Sequence, residues 1–180
     1  KVTEGMVSVK MPAPKTVTIP MSMHIGKPVI PVVKVGSEVK VGTLIAEDAN
    51  NLSAPIYSSV SGKVTKLTDV TASNGMVVQM VVIESDGEMT IDESIQKPEI
   101  NSKEDLITAI KNSGMVGLGG AGFPTFIKYQ PKNPEDIEYV IANCAECEPY
   151  LTSDYRRMLE EPEKVIGGLK IILSLFEHAH

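Results

Sequence analysis

The run Val33-Lys-Val-Gly-Ser-Glu-Val-Lys-Val-Gly42-Thr-Leu-Ile-Ala-Glu47, followed by Ser58-Ser-Val-Ser-Gly62-Lys-Val64, decides the fold of the first half of the chain. Short runs rich in valine, isoleucine and threonine alternate there with turn residues, a pattern typical of β-strands. Helical periodicity is absent from residue 16 to about residue 84. The sequence therefore predicts a compact all-β module, with strands at Thr16–Ile19, Val29–Val33, Thr43–Glu47, Gly62–Leu67 and Met76–Glu84.

The same run resembles the biotinyl/lipoyl hammerhead pattern, which implies a flattened barrel-sandwich hybrid closed by Ser61-Gly62-Lys63-Val64. A true carrier presents one modified lysine at a hairpin tip midway through the pattern. The corresponding stretch, residues 47–53, is Glu-Asp-Ala-Asn-Asn-Leu-Ser and has no lysine. We therefore expect a structural or docking module without a covalent carrier arm. His24 is interpreted as a satisfied structural histidine and is assigned no chemistry.

The composition excludes several classes of protein. With 17 basic and 23 acidic residues the net charge is -6, the wrong sign for broad contact with nucleic acid phosphates. The apolar stretch Val165–Phe176 is too short to span a membrane, and no secretory signal is visible. Two cysteines, Cys144 and Cys147, are too few for a disulfide scaffold. We expect an intracellular protein.

The second half of the chain has a different texture. Residues 86–98 resemble a linker, and Ser102-Lys-Glu-Asp105 then matches a capping box that begins a helix to Ser113. A buried strand is predicted at Ile137–Ala142 and a further amphipathic helix after Pro162. One strand with its helices cannot complete an α/β sheet, so we expect part of a longer protein. The prediction is α+β overall, with a β module over residues 1–90 and an incomplete α/β domain over 100–180.

A glycine-rich loop follows the first of these helices. Gly117-Leu-Gly119-Gly120-Ala-Gly122 matches G-x-G-x-x-G, whose bare backbone lets N–H groups approach a phosphate. The Rossmann interpretation requires a strand before the loop, whereas a helix is predicted there. Pro124 suits the first turn of a new helix that carries Lys128, and Phe123 offers a ring for stacking. The pattern indicates either an anion site or a turn that packs one helix against another.

A second signature, Asn143-Cys144-Ala145-Glu146-Cys147-Glu148-Pro149-Tyr150-Leu151-Thr152-Ser153-Asp154, follows the predicted strand. Together with residues 113–125 and with the motif Met23-His-Ile-Gly-Lys-Pro28, it resembles the RnfC family, the C-type component of the Rnf electron-transport complex. A more distant likeness is to the flavin-bearing, NADH-oxidising component of respiratory complex I.

The resemblance implies an FMN- and NADH-binding domain in the second region. By the complex I pattern, the glycine loop with Gly117, Gly119 and Gly120 would hold the flavin. The other implied roles are nicotinamide stacking for Phe123, a cation facing the anionic end of the flavin for Lys128, contact with the isoalloxazine for Asn143, Glu146 and Cys147, and contact with NADH for Glu148. Leu118 and Ala145 replace an arginine and an aspartate of the complex I pattern, so two polar contacts are lost.

Cys144-x-x-Cys147 also matches a redox pair or half of a zinc site, but the surrounding sequence favours neither. The resemblance implies two 4Fe-4S clusters in the full-length protein, which need more cysteines than these 180 residues contain.

The function implied is that of a peripheral protein on the cytoplasmic face of the membrane, bound to other Rnf subunits and passing electrons between NAD(H), FMN and the clusters. Two alternatives are a related cobalamin-reducing flavoprotein of microcompartments and a non-catalytic docking module. The 180 residues alone are expected to be inactive.

Overall fold

The computed structural model describes residues 1–47, 52–72, 75–118 and 120–180. The chain divides into two compact units, which are described separately below. One unit comprises residues 12–128, and the other comprises residues 1–11 together with residues 129–180. The domain boundaries at residues 90 and 100 stay a prediction.

Two antiparallel sheets form the first unit. The four-stranded sheet has the order β1-β7-β6-β3, and the three-stranded sheet has the order β2-β4-β5. Their strands are β1 (Thr16–Pro20), β2 (Ile30–Pro31), β3 (Glu38–Val39), β4 (Leu44–Glu47), β5 (Ile56–Tyr57), β6 (Gly62–Thr71) and β7 (Val77–Ser85).

One hydrophobic core joins the two sheets. Val64, Val81 and Ile83 come from the larger sheet and Ile45 from the smaller one, and all four are fully buried. In the β6–β7 hairpin Val64 lies opposite Ile83, because alternate side chains of each strand point inward. Burial of these side chains supplies the main stabilising term of the unit.

Four of the five predicted strands are confirmed with shifted ends, as β1, β4, β6 and β7. The predicted strand Val29–Val33 shortens to the two residues of β2. The sequence missed β3 and β5, whose two residues each are too few to show an alternation. Residues 48–51, which include most of the carrier-type hairpin, and residues 73–74 lie outside the described residues.

The stretch predicted as a linker is attached to the barrel over residues 86–92. Val41 forms a parallel bridge with Ile91, and its N–H donates to the carbonyl of Thr90 over 2.9 Å. The Ser61 hydroxyl donates to Asp86 over 2.6 Å, and the Thr43 hydroxyl donates to Asp92. These hydrogen bonds lower the pKa of both carboxyls, that of Asp92 to about 2. The linker interpretation was wrong for this stretch.

Helix α1 (Lys103–Asn112) follows and begins as predicted. Ser102 accepts the N–H of Asp105 over 3.0 Å as the N-cap, and Asp105 accepts the N–H of Asn101 over 3.0 Å. Helix α2 (Thr125–Lys128) is a single turn directly after Pro124. Both helices belong to the unit that contains the barrel.

The second unit contains α3 (Ser153–Glu160), α4 (Pro162–Leu173) and a short 3-10 turn at Pro134–Asp136. Its N-terminal segment is joined to α3, since the Ser8 N–H donates to Glu160 over 2.8 Å. The predicted strand Ile137–Ala142 was wrong: this stretch is irregular, and its backbone bonds join Val140 and Glu138 to His180. A β-strand requires a neighbouring strand, and the described residues of this unit contain none.

No helix among the described residues has both the length and the apolar character needed to cross a bilayer.

Candidate functional site

The glycine-rich loop is a lobe closed at its base by backbone hydrogen bonds. Gly117 N–H donates to the carbonyl of Phe123 over 2.9 Å, and Thr125 N–H donates to the carbonyl of Met115 over 3.0 Å. Val116 and Pro124 pair as an isolated antiparallel bridge between these bonds. The chain therefore leaves α1, turns through residues 117–123 and returns directly into α2.

Three of the predicted site residues converge at the base of this lobe. A Cβ built at Gly117 would lie 3.7 Å from the nitrogen of Phe123 and 3.9 Å from Nζ of Lys128. Phe123 is half-buried and Lys128 is exposed. A ring, a cation and bare backbone thus share one small region, as the sequence predicted.

The remaining glycines of the predicted site differ in what the structure shows. Gly120 is exposed, and a Cβ there would meet nothing within 4 Å, so the backbone is open to a ligand. Gly119 lies outside the described residues. Helix α2 is a single turn and aligns few peptide dipoles, so the anion-binding elements here are the backbone amides and Lys128.

The second signature belongs to the other compact unit, where two of its predicted site residues stabilise local structure. The Asn143 side chain accepts the N–H of Ala145 over 3.1 Å, which forms an Asx-type turn. One carboxylate oxygen of Glu146 accepts the N–H of Tyr155 over 3.0 Å, in the first turn of α3. The sequence did not indicate these contacts, because neither partner follows from spacing alone.

The other predicted residues of this signature are solvent-accessible. Cys147 and Glu148 are exposed and Cys144 is half-buried. Both cysteines are free thiols. These side chains are available to a ligand, and their proposed contacts with flavin and NADH stay predictions.

Sequence reasoning missed the surroundings of His24. Its side chain is 7% exposed, and Nδ1 lies 3.0 Å from the carbonyl oxygen of Ile25. Nε2 has no hydrogen-bond partner within the described part of the chain, so the prediction of a satisfied histidine is correct for one ring nitrogen only. His24 lines a cavity of about 310 Å³ together with Tyr57, Gly114 and Val116.

A larger, polar cleft of about 720 Å³ lies at the edge of the four-stranded sheet, lined in part by Lys40, Lys63, Asp86 and Asp92. Its two aspartates already accept hydrogen bonds from Ser61 and Thr43, which attach residues 86–92 to the barrel. The cleft is explained by this structural role.

Comparison with protein-family models divides the chain much as its texture does. Residues 1–88 match the RnfC Barrel sandwich hybrid domain, and residues 110–180 match the Nuo51 FMN-binding domain. The barrel-sandwich hybrid prediction is therefore confirmed. The class defined by these matches is a barrel-sandwich hybrid joined to a segment of an FMN-binding domain.

Individual relatives are more specific, and all three named here are the RnfC-type components of their complexes. The chain is 44% identical over 168 residues to that of the proton-translocating ferredoxin:NAD(+) oxidoreductase complex of Clostridium ljungdahlii, covering 91% of the chain. It is 45% identical to the Na(+)-translocating counterpart from Acetobacterium woodii and 36% identical to that of the ion-translocating oxidoreductase complex of Rhodobacter capsulatus, over 89% and 90% of the chain. The chain belongs to the RnfC family. It spans 36%, 37% and 32% of the lengths of these three relatives.

Proposed function

We propose that the chain is part of the RnfC component of an ion-translocating electron-transport complex and that its glycine loop holds FMN. The observation that carries this proposal is the match of residues 110–180 to an FMN-binding family, with Gly117, Phe123 and Lys128 converging in that segment. The names of the relatives, as components of ferredoxin:NAD(+) oxidoreductase complexes, support the electron-transport role.

The residues present fit a flavin nucleotide. The loop offers an unobstructed backbone at Gly120, and the ammonium group of Lys128 lies beside Gly117. No carboxylate pairs with Lys128 in any salt bridge among the described residues, so its charge is available to an anionic ligand. Bare amides and a cation are the groups that a phosphate or an electron-rich ring requires.

Each side chain then has a defined task. Lys128 holds a positive charge against the ligand, backbone N–H groups of the loop donate to it, and the ring of Phe123 presents an apolar face. We propose that Asn143, Glu146 and Cys147 contact the flavin and that Glu148 contacts NADH. Bound FMN supplies the conversion between hydride transfer and single-electron transfer.

The wider assignment rests on the relatives. We propose that other subunits of the complex hold the protein peripherally at the cytoplasmic face of the membrane. Electrons would pass to 4Fe-4S clusters, whose thiolate ligands require more than the two cysteines of these residues.

Titration of the longest form of the protein that its gene encodes, followed by flavin fluorescence, tests the proposal. We expect saturable FMN binding in the micromolar range or tighter, together with oxidation of NADH. Absence of FMN binding would overturn the proposal and favour a docking module. NADH-dependent reduction of cobalamin in place of ferredoxin would favour the microcompartment relative.

A further inference from the structure

The glycine loop is in direct backbone contact with a short excursion of the barrel, residues 22–28, which follows β1. The excursion begins and ends at the core, because Val29 N–H donates to the carbonyl of Met21 over 2.9 Å and Met21 is fully buried. Met21 N–H also donates to Gln79 in β7 over 2.9 Å. The excursion is therefore anchored to the four-stranded sheet.

The contact centres on Gly122. Ile25 N–H donates to the carbonyl of Gly122 over 3.2 Å. A Cβ added at Gly122 would lie 2.6 Å from the carbonyl oxygen of Met23 and 2.9 Å from Cα of His24. Both neighbours are backbone atoms and cannot rotate away, and Gly122 has a φ of +66, which favours glycine. Only glycine fits this position without displacing one of the two segments.

His24 fixes the conformation of the excursion at the same place. The ring is buried, and its Nδ1 reaches the carbonyl oxygen of the next residue, Ile25, over 3.0 Å. A carbonyl only accepts, so Nδ1 carries the proton and donates. The Ile25 peptide thus accepts from His24, while the N–H of Ile25 donates to Gly122.

The first arm of the loop is fixed to the barrel as well. A Cβ at Gly114 would contact the carbonyl oxygen of Pro55 and would lie 3.3 Å from the ring of Tyr57. The Tyr57 hydroxyl donates to the carbonyl of Asn112, at the end of α1. The barrel therefore contacts the chain on both sides of residues 117–121.

We propose that the segment Met23–Ile25 is a positioning element for the flavin site, with His24 and Gly122 setting the shape in which the glycine loop receives FMN. This inference rests on the proposed function. An ordered loop avoids the entropic cost of being immobilised on binding, so fixing its backbone strengthens ligand affinity. The barrel then acts on flavin binding without touching the ligand.

The test compares two alanine variants in the longest gene-encoded form of the protein. Gly122→Ala adds a methyl group at the contact, whereas Gly36→Ala is its control: Gly36 has a φ of +94, but a Cβ there meets nothing within 4 Å. Both substitutions impose left-handed strain, and only the first displaces the loop. We expect Gly122→Ala to weaken FMN binding by about tenfold or more and to raise amide exchange at Gly117. Gly36→Ala should change neither.

A second pair tests His24 and does not depend on the folding of Gly122→Ala. The side-chain amide of His24→Asn can still donate to the Ile25 carbonyl, whereas His24→Leu cannot. We expect the leucine variant to bind FMN about tenfold more weakly and the asparagine variant to recover most of the affinity. A leucine variant that binds as wild type does, or an asparagine variant as weak as leucine, overturns the role of the Nδ1 donor.

The outcomes separate this inference from the proposed function. If the wild-type protein binds no FMN, the proposed function is overturned and the inference with it. If wild type binds FMN and Gly122→Ala binds equally well, the inference alone is overturned. Equal weakening by Gly36→Ala would trace the effect to general backbone strain and would also overturn it.

Discussion

Lys128 carries the charge argument at the candidate site. Its Nζ lies 3.9 Å from the position that a Cβ would take at Gly117, and the side chain is exposed. A cation held beside open backbone amides stabilises an anionic ligand through charge-assisted hydrogen bonds. Loss of this charge should therefore affect ligand binding more than folding.

We predict that Lys128→Ala weakens FMN binding by about 1.5 to 3 kcal/mol, the usual contribution of a hydrogen bond to a charged group. Fluorescence titration of the longest gene-encoded form measures this change, and the melting temperature should stay near that of wild type. Lys132→Ala, another exposed lysine a few residues away, is the matched control. Equal affinity in the two variants would place the anionic part of the ligand elsewhere.

Glu160 predicts a pH dependence in the second unit. The Ser8 N–H and the Arg156 side chain donate to its carboxylate, over 2.8 and 2.9 Å, and lower its pKa from 4.5 to about 2. Because the pKa is lower in the folded state, the carboxylate stabilises the fold above pH 4.5, and this contribution is lost as pH falls towards 2.

An NMR titration checks this value. The Ser8 amide signal should shift with a midpoint near pH 2, as the carboxylate that accepts its N–H is protonated. Glu160→Gln should abolish that titration. A midpoint near 4.5 in the wild-type protein would show that the N-terminal segment does not contact α3 in solution.

Some of this residue-scale detail could be predicted from sequence. Gly117, Phe123 and Lys128 lie within twelve positions of one another, so local chain geometry is enough to bring them together. The surroundings of His24 could not be predicted, because Gly122 lies 98 positions further along the chain. The partner of Glu146 was equally hidden, since a hydrogen bond to Tyr155 depends on a turn that the sequence pattern does not specify.

At the scale of elements, α3 is the helix that sequence analysis missed. Its residues, Ser153–Glu160, are mostly polar, and none of them is buried, so the apolar periodicity that indicates a helix is absent. Thr152 precedes the helix but makes no side-chain capping bond. The first turn is instead satisfied by Glu146, whose carboxylate accepts the N–H of Tyr155.

We therefore predict that Glu146→Ala destabilises the second unit by about 0.5 to 2 kcal/mol, as the loss of a helix cap does. Thermal unfolding and far-UV circular dichroism of the flavin-free protein measure this change. Glu177→Ala removes an exposed carboxylate beyond the end of α4 and is the control. If both variants unfold alike, the capping contact contributes nothing to stability.

The hairpin at residues 47–53 decides the nature of the β module. Its sequence contains no lysine, so it offers no amine for lipoate or biotin, although the surrounding module belongs to the barrel-sandwich family. We predict an unmodified mass for the protein purified from its native host. A lipoyl or biotinyl adduct on Lys34, Lys40 or Lys63 in intact-mass and peptide spectra would contradict the structural role of the module.

At the scale of the whole molecule, the sequence pattern predicted the barrel correctly but not what packs on it. Strand alternation and turn glycines give the sheets, because both are local properties of the chain. The attachment of α1 and the glycine loop to the barrel depends on contacts such as Gly114 with Pro55, which have no sequence signature. Compact units and family matches therefore divide the chain at different positions.

The two units also differ in how much apolar surface they bury. The barrel buries a cluster of eleven hydrophobic residues, whereas α3 and α4 contain no buried residue. Among the apolar side chains of residues 129–180, Ile141 is 83% exposed and Tyr139 is 67% exposed. Since burial of apolar surface is the main driving force for folding, the second unit should be the less stable one.

The last prediction concerns the 180 residues expressed alone. The barrel unit, residues 12–128, should stay folded because its core is complete, while residues 129–180 should exchange their amides faster and promote self-association through exposed apolar side chains. FMN binding should be weaker than micromolar and NADH oxidation absent, because the relatives in which this site is proposed are about three times as long. Isothermal titration of this chain and of the longest gene-encoded form, side by side, measures the difference. Micromolar or tighter FMN binding by the 180 residues would show that they contain a sufficient flavin site. Equal exchange rates in the two units would contradict the predicted difference in stability.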